Sequence, residues 1–276
     1  MKHLLSILFL SMLFNTASAQ DSTQKTKLQL KLSVNYNSGL NYFGRTDSLK
    51  STGVFPMAEF WITPNFYVNA APIFVNNTLQ KMDYAGTVAT LGYQYINEKW
   101  LTNLSVIKPF YEANIELVQS ALKAQANMSF TRLNKVANFT FGADAKFSDK
   151  VDFGATAGLD HIIRIQNKDN SVLIFDPSVY AYAGTQQFSN TYTRKKSGLP
   201  IPGRSQEEQV TETGTRFNVL AYEASLPIIY AKNKIMLIAS PSYILPQNLI
   251  TVPNRPDLSE KGQNMFYTTL SMKYTF

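Results

Sequence analysis

The chain holds two histidines, His3 and His161, and no cysteine. Thiolate metal sites and disulfides are therefore absent from its chemistry, and so is a multi-histidine centre. His161 follows Asp160, but a Ser-His-Asp unit needs all three groups within hydrogen-bond reach. Alternate residues of a strand point to opposite faces. His161 then shares a face with Leu159 and Ile163, and Asp160 lies on the other. No catalytic residue, cofactor site or metal site emerges, and no Gly-rich phosphate loop, calcium loop or nucleic-acid motif is present. What remains is charge set among apolar residues: Lys31, Glu59, Asp144, Lys146, Asp152, Glu223 and Lys273, with Lys123 nearby. Charges in that setting either line a water-filled passage and select solutes, or pair with one another and plug a narrow one. A separate cluster, Arg194-Lys195-Lys196 with Arg204, has the chemistry to grip lipid phosphates and reads equally as a solvated loop.

The elements that carry these charges have a period of two. In 27–36, Leu28, Leu30, Leu32, Val34 and Tyr36 alternate with Gln29, Lys31, Ser33 and Asn35. In 137–147, Phe139, Phe141, Ala143, Ala145 and Phe147 alternate with polar residues and glycine. Strands are expected at 27–36, 53–62, 66–75, 85–96, 100–107, 119–132, 137–147, 151–165, 172–188, 215–231, 235–245 and 264–276. The composition of 119–132 favours helix and its alternation favours strand.

The connections fall into two classes. The turns near 63–65, 97–99, 133–135, 167–170 and 232–234 are short. Those at 37–52, 76–84, 108–118, 189–214 and 246–263 are long, with 148–150 the one short member of that side. The reading is an all-β fold, an antiparallel transmembrane β-barrel of about twelve strands, with short periplasmic turns and long outer loops. If 119–132 and 176–188 were helical decoration, ten strands would remain. A secreted β-sandwich is the rival, since its strands also alternate. All these charges fall on the lumen parity. Lys31, Glu59 and Lys273 should share one level on neighbouring strands. The loop at 189–214 either folds inward and narrows a channel or folds outward and offers a binding surface.

At the start of the chain, Lys2 and His3 precede the apolar run 4–14, and Ala17-Ser18-Ala19 follows. That is the layout of a secretory signal peptide, so residues 1–19 are assigned to it and 20–276 to a single barrel domain. No later run has the roughly 18 apolar residues of a transmembrane helix. The formal net charge of +7 and the 18 Phe and 15 Tyr suit a protein set among lipid phosphates and membrane-interface belts.

The last residues read NMFYTTLSMKYTF, with Phe266, Thr268, Leu270, Met272, Tyr274 and Phe276 on one face. A final amphipathic strand that closes on Phe, with Tyr two residues before it, resembles the C-terminal signature of outer-membrane β-barrel proteins of Gram-negative bacteria, here of the Bacteroidota type. The resemblance implies residence in that outer membrane and pairing of the last strand with the first. It also implies contact with outer-membrane lipids and with the barrel assembly machinery, which would read Phe276 and Tyr274. Nucleic acid is not an expected partner. Two functions stay open: a narrow channel for small solutes, and a non-conducting surface protein whose outer loops bind a partner or lipid. The solute or partner is unspecified, and an enzyme comes third.

Overall fold

The computed structural model describes residues 28–46, 49–79, 81–112, 122–195, 207–250, 259–260 and 262–276. The signal-peptide assignment lies outside them. Strands β1 (Gln29–Asn37), β2 (Thr52–Trp61), β3 (Phe66–Asn76), β4 (Asp83–Ile96), β5 (Trp100–Tyr111) and β6 (Ala124–Arg132) pair in order. They are followed by β7 (Asn138–Phe147), β8 (Val151–Asp160), β9 (Ser178–Lys195), β10 (Glu207–Ser225), β11 (Ile235–Pro246) and β12 (Met265–Thr275). β12 then pairs back with β1, from Lys31 opposite Thr275 to Asn37 opposite Thr269. The ring is closed, antiparallel and twelve-stranded, with no helix among the described residues. Closure excludes the sandwich, which has open edges. The stretch 124–132 is strand, so alternation prevails over helix propensity there.

Three strands are broken at one level. β8 resumes as Ile163–Gln166 after His161 and Ile162, β9 is preceded by Val172–Phe175, and β10 resumes as Ile228–Lys232. The short pieces continue the ladders. Pro177 and Pro227, which lack an N–H to donate, stand at two of the breaks. Two expectations change as a result. The strand is interrupted at His161, so alternation by itself does not assign its face, although Leu159 and Ile163 are both exposed. His161 is half-buried, and its backbone N–H donates to the Pro177 carbonyl at 3.1 Å. The interruption expected at 189–214 is also largely strand: the β9–β10 ladder runs out to Lys195 opposite Glu207. Lys196 and Arg204 lie outside the described residues.

The short turns are built by local side chains. Thr63 Oγ1 accepts from the N–H groups of Asn65 and Phe66, and Asn97 Oδ1 accepts from those of Lys99 and Trp100. Such turns replace backbone partners with a side-chain oxygen. β10 and β11 meet across two residues, Asn233 and Lys234, with Asn233 at φ 54°, as a tight hairpin requires.

The sides of the sheet are reversed relative to a soluble protein. Leu30, Leu32, Val34, Phe139, Phe141, Phe153, Leu270 and Met272 are exposed, while the alternate positions face the enclosed space. The buried apolar residues are few, chiefly Ile73, Val75 and Ala85 with Leu220, Ala221 and Ile244. A continuous exposed apolar band on this scale is not a water-facing surface.

Candidate functional site

The enclosed space has two polar stations. The first joins β1, β2 and β12. Glu59 lies opposite Lys31 in the ladder, and its Oε1 stands 3.7 Å from both the Lys31 and the Lys273 Nζ. The Trp61 indole N–H donates to the same oxygen at 2.8 Å, and Lys31 Nζ sits 4.3 Å from the Trp61 ring centre. The Glu59 side chain is 11% exposed and the two lysines are 21% and 26% exposed. Two ammonium groups thus converge on one carboxylate, and the station carries one excess positive charge.

The second station lies between β7, β8, β9 and β10. Lys146 pairs with Asp144. Asp152 accepts from Thr185 Oγ1 at 2.7 Å, and Glu223 accepts from the Tyr267 hydroxyl at 2.7 Å. The seven charges picked out by alternation therefore divide into two groups, three in the first station and four in the second. Lys123, placed in the lumen by its parity, is instead exposed at the rim and pairs with Asp149 of the β7–β8 turn at 2.8 Å. It precedes the first residue of β6, so strand parity does not apply to it. There the Asp149 carboxyl is held below its usual range by the hydrogen bond from Lys123.

What the sequence did not reveal is the fold of the loop after β1. Residues Asn41–Tyr42 and Arg45–Thr46 pair as a small hairpin that turns into the barrel. Phe43 and Gly44 both have positive φ, 54° and 75°, the conformation of a type I′ turn. A Cβ on Gly44 would meet the Pro246 ring at 2.9 Å. Phe43, at a strained position for a residue with a side chain, packs its ring 5.0 Å from Tyr182 on β9. Arg45 is 7% exposed. Its Nε donates to Glu260 at 3.1 Å, and its guanidinium donates at 3.2 Å to the Phe43, Leu220 and Gln247 carbonyls. Leu40, at the neck of the loop, packs on the Ile73, Val75 and Ala85 cluster. The hairpin is thereby fixed to both walls. The signal that could have found it is Leu40 with Tyr42-Phe43-Gly44-Arg45, an apolar and aromatic turn in a loop read as polar.

Below the hairpin the inner wall is unequal. β5 to β8 present small polar residues, and these line a cavity of about 250 Å³ walled by Asn103, Ser105, Asn127, Ser129, Thr140 and Thr156. Beside it, on the adjoining strand β9, stand Tyr180 and Tyr182, paired in the ladder with Gly158 and Thr156. Gly158 is where Tyr180 lies flat against the wall, and a Cβ there would be 2.1 Å from the ring. A second cavity, of about 350 Å³, sits directly under the hairpin and shares Asp144 and Thr156 with the first.

Asp160 and Asp176 stand beside the strand breaks, and the buried Oδ1 of Asp176 has no hydrogen-bond partner among the described residues. Asn138 Nδ2 donates to Asp160 at 2.6 Å. The nearby Ser178 hydroxyl pairs with that of Ser225, at 2.7 Å, rather than with His161.

No protein-family model matches the chain, and no curated protein matches it. Among solved structures it is similar to an outer membrane channel from Pseudomonas putida F1, with 11% identity, TM-score 0.48, and coverage of 94% of this chain and 100% of that one. It is also similar to the NanC porin, with 11% identity, TM-score 0.42, and coverage of 89% and 98%. A third similar structure is LpxR from Salmonella typhimurium, with 12% identity, TM-score 0.38, and coverage of 90% and 100%. At these values the likeness concerns barrel shape alone.

Proposed function

We propose that this protein is an outer-membrane channel for small solutes, narrowed from the outer side by the 41–46 hairpin. The carrying observation is that the space inside the ring is not packed solid. Two neighbouring cavities, with Asp144 and Thr156 common to their walls, remain beneath the hairpin, walled on one side by Ser, Thr, Asn and Gly. A barrel that served only to display loops gains nothing from a lumen left polar and hollow, since unfilled space forfeits packing contacts. The exposed apolar band supports the membrane setting, and the amphipathic strand β12, paired with β1 and carrying Tyr274 and Phe276 on its outer face, fits a barrel of that kind. On this reading the Lys31–Glu59–Lys273 station sets the charge preference at the periplasmic end.

The test is single-channel recording of the refolded chain in planar bilayers. Small, discrete conductance steps are expected, and Arg45→Ala should enlarge them by releasing the hairpin. Silent bilayers with both proteins, at normal folding, would leave the non-conducting surface protein as the function.

A further inference from the structure

The cavity under the hairpin is lined by the rings of Tyr42, Phe43, Tyr182 and Tyr267 and by the carboxylate of Glu223. Tyr42 and Phe43 have ring centres 4.5 Å apart, and Phe43 and Tyr182 5.0 Å, all tilted. Three contiguous rings thus form a bent wall, and Tyr267 adds a fourth from β12. Glu223 is held by the Tyr267 hydroxyl. Among the described residues no lysine or arginine lies within ion-pairing distance of it, whereas the other carboxylate on the cavity, Asp144, is already paired with Lys146. Two carboxylates face one ammonium, so the lining carries one unanswered negative charge.

We propose that this cavity is a binding site for a small organic ammonium ion. Ring faces carry negative quadrupole density and attract a cation, most strongly where water is displaced. A carboxylate beside them supplies the counter-charge. Lys146 shows the same attraction from within the chain: its Nζ stands 5.9 and 5.8 Å from the Tyr42 and Phe43 ring centres. An inorganic ion is a poorer fit. It would ask for several oxygen ligands, and no group of three or more acidic, histidine or cysteine residues suited to a metal occurs among the described residues. An alkylammonium ion is weakly hydrated and presents methyl groups to the rings while its charge faces Glu223. The inference rests on the channel reading for the route by which the cation arrives. Binding is measured at equilibrium, so either can fail alone.

Choline is the probe, and 3,3-dimethylbutan-1-ol, its uncharged carbon isostere, is the control. Both are titrated calorimetrically against the refolded full chain in detergent micelles, with glucose as a third ligand. Choline should bind saturably, and the isostere at least tenfold more weakly. Glu223→Gln keeps an acceptor for Tyr267 and removes the charge, and should weaken choline at least tenfold. Phe43→Leu keeps apolar bulk without a ring face and should weaken it several-fold, with the melting temperature near that of the parent. Absence of saturable choline binding to a folded barrel overturns the proposal. Equal binding of choline and isostere overturns it too, since charge then plays no part. Glucose binding tighter than choline, and lost in Glu223→Gln, assigns the cavity to a polyol and likewise overturns it.

Discussion

Glu59 answers two lysines at once, so its loss is not the loss of a single surface pair. Glu59→Ala leaves Lys31 and Lys273 facing each other with only Trp61 nearby. The cost should fall between the ~1 kcal/mol of an exposed pair and the ~3–5 kcal/mol of a buried one, because the lysines keep some access to water. A lowered melting temperature and a current shifted toward anions are expected together; an unchanged melting temperature would mean that water already screens the group. Gly158 is the opposite case, a position where nothing can be added. Gly158→Ala should push the Tyr180 ring off the wall into the lumen, at a cost of about 1–3 kcal/mol, and lower the conductance. The grouping of Lys31, Glu59 and Lys273 was legible because a charge within an alternating strand declares its face. Tyr267 was legible in the same way, by sharing the parity of Lys273 in the closing strand, whereas Tyr182 was not, because aromatics occur on both faces of such a wall and their type does not say which.

Elements were legible in proportion to their regularity. Alternation over eight or more residues gave β1, β7 and β12 nearly to the residue. It misjudged β9 and β10, whose outer arms are rich in Thr, Gln, Asn and Glu and carry no apolar face to detect. The breaks in β8 to β10 escaped notice because a proline in a strand can also sit at an edge or a bulge. The inward hairpin was hidden for another reason: its fit depends on Glu260 and Tyr182, far away in sequence. One turn allows a pH prediction. Asp169 receives hydrogen bonds from Lys232 Nζ at 2.8 Å and from Ser171, and these hold its carboxyl well below the ordinary carboxylate range. A depressed folded value means the contribution is present above that ordinary range and is lost as pH falls through and below it. Amide exchange at 167–171 should therefore quicken on acidification, relative to the β8–β9 ladder above it. In Asp169→Asn that acceleration should vanish; if it persists, Asp169 is not its cause.

For the whole molecule, the ring closes through β1 and β12, and even the last residue takes part: the Phe276 N–H donates to the Leu30 carbonyl at 2.9 Å. The Phe276 and Tyr274 rings lie 4.8 Å apart, edge to face, on the outside. Replacing Phe276 by Asp near a membrane boundary should cost only about 0–1 kcal/mol of folding free energy. A large drop in surface level in cells, with refolding in detergent little changed, would therefore point to recognition of the terminus during assembly; equal surface levels would remove that role. The strand count was legible because closure demands an even number and the turns alternate in length. The contents of the lumen were not, since they depend on which loop enters it.

The Arg45–Glu260 contact joins positions 215 residues apart in the chain, and that separation imposes an order of events. Loop closure over such a span is entropically costly, so the guanidinium cannot find its acceptors until β10, β11 and β12 have brought Leu220, Gln247 and Glu260 into place. The hairpin is the final piece to seat, after the cylinder exists. Every newly assembled copy therefore passes through a stage in which the cylinder is complete and the hairpin is not yet seated. In refolding experiments that stage should show as a lag between resistance to detergent unfolding and the fall in permeability.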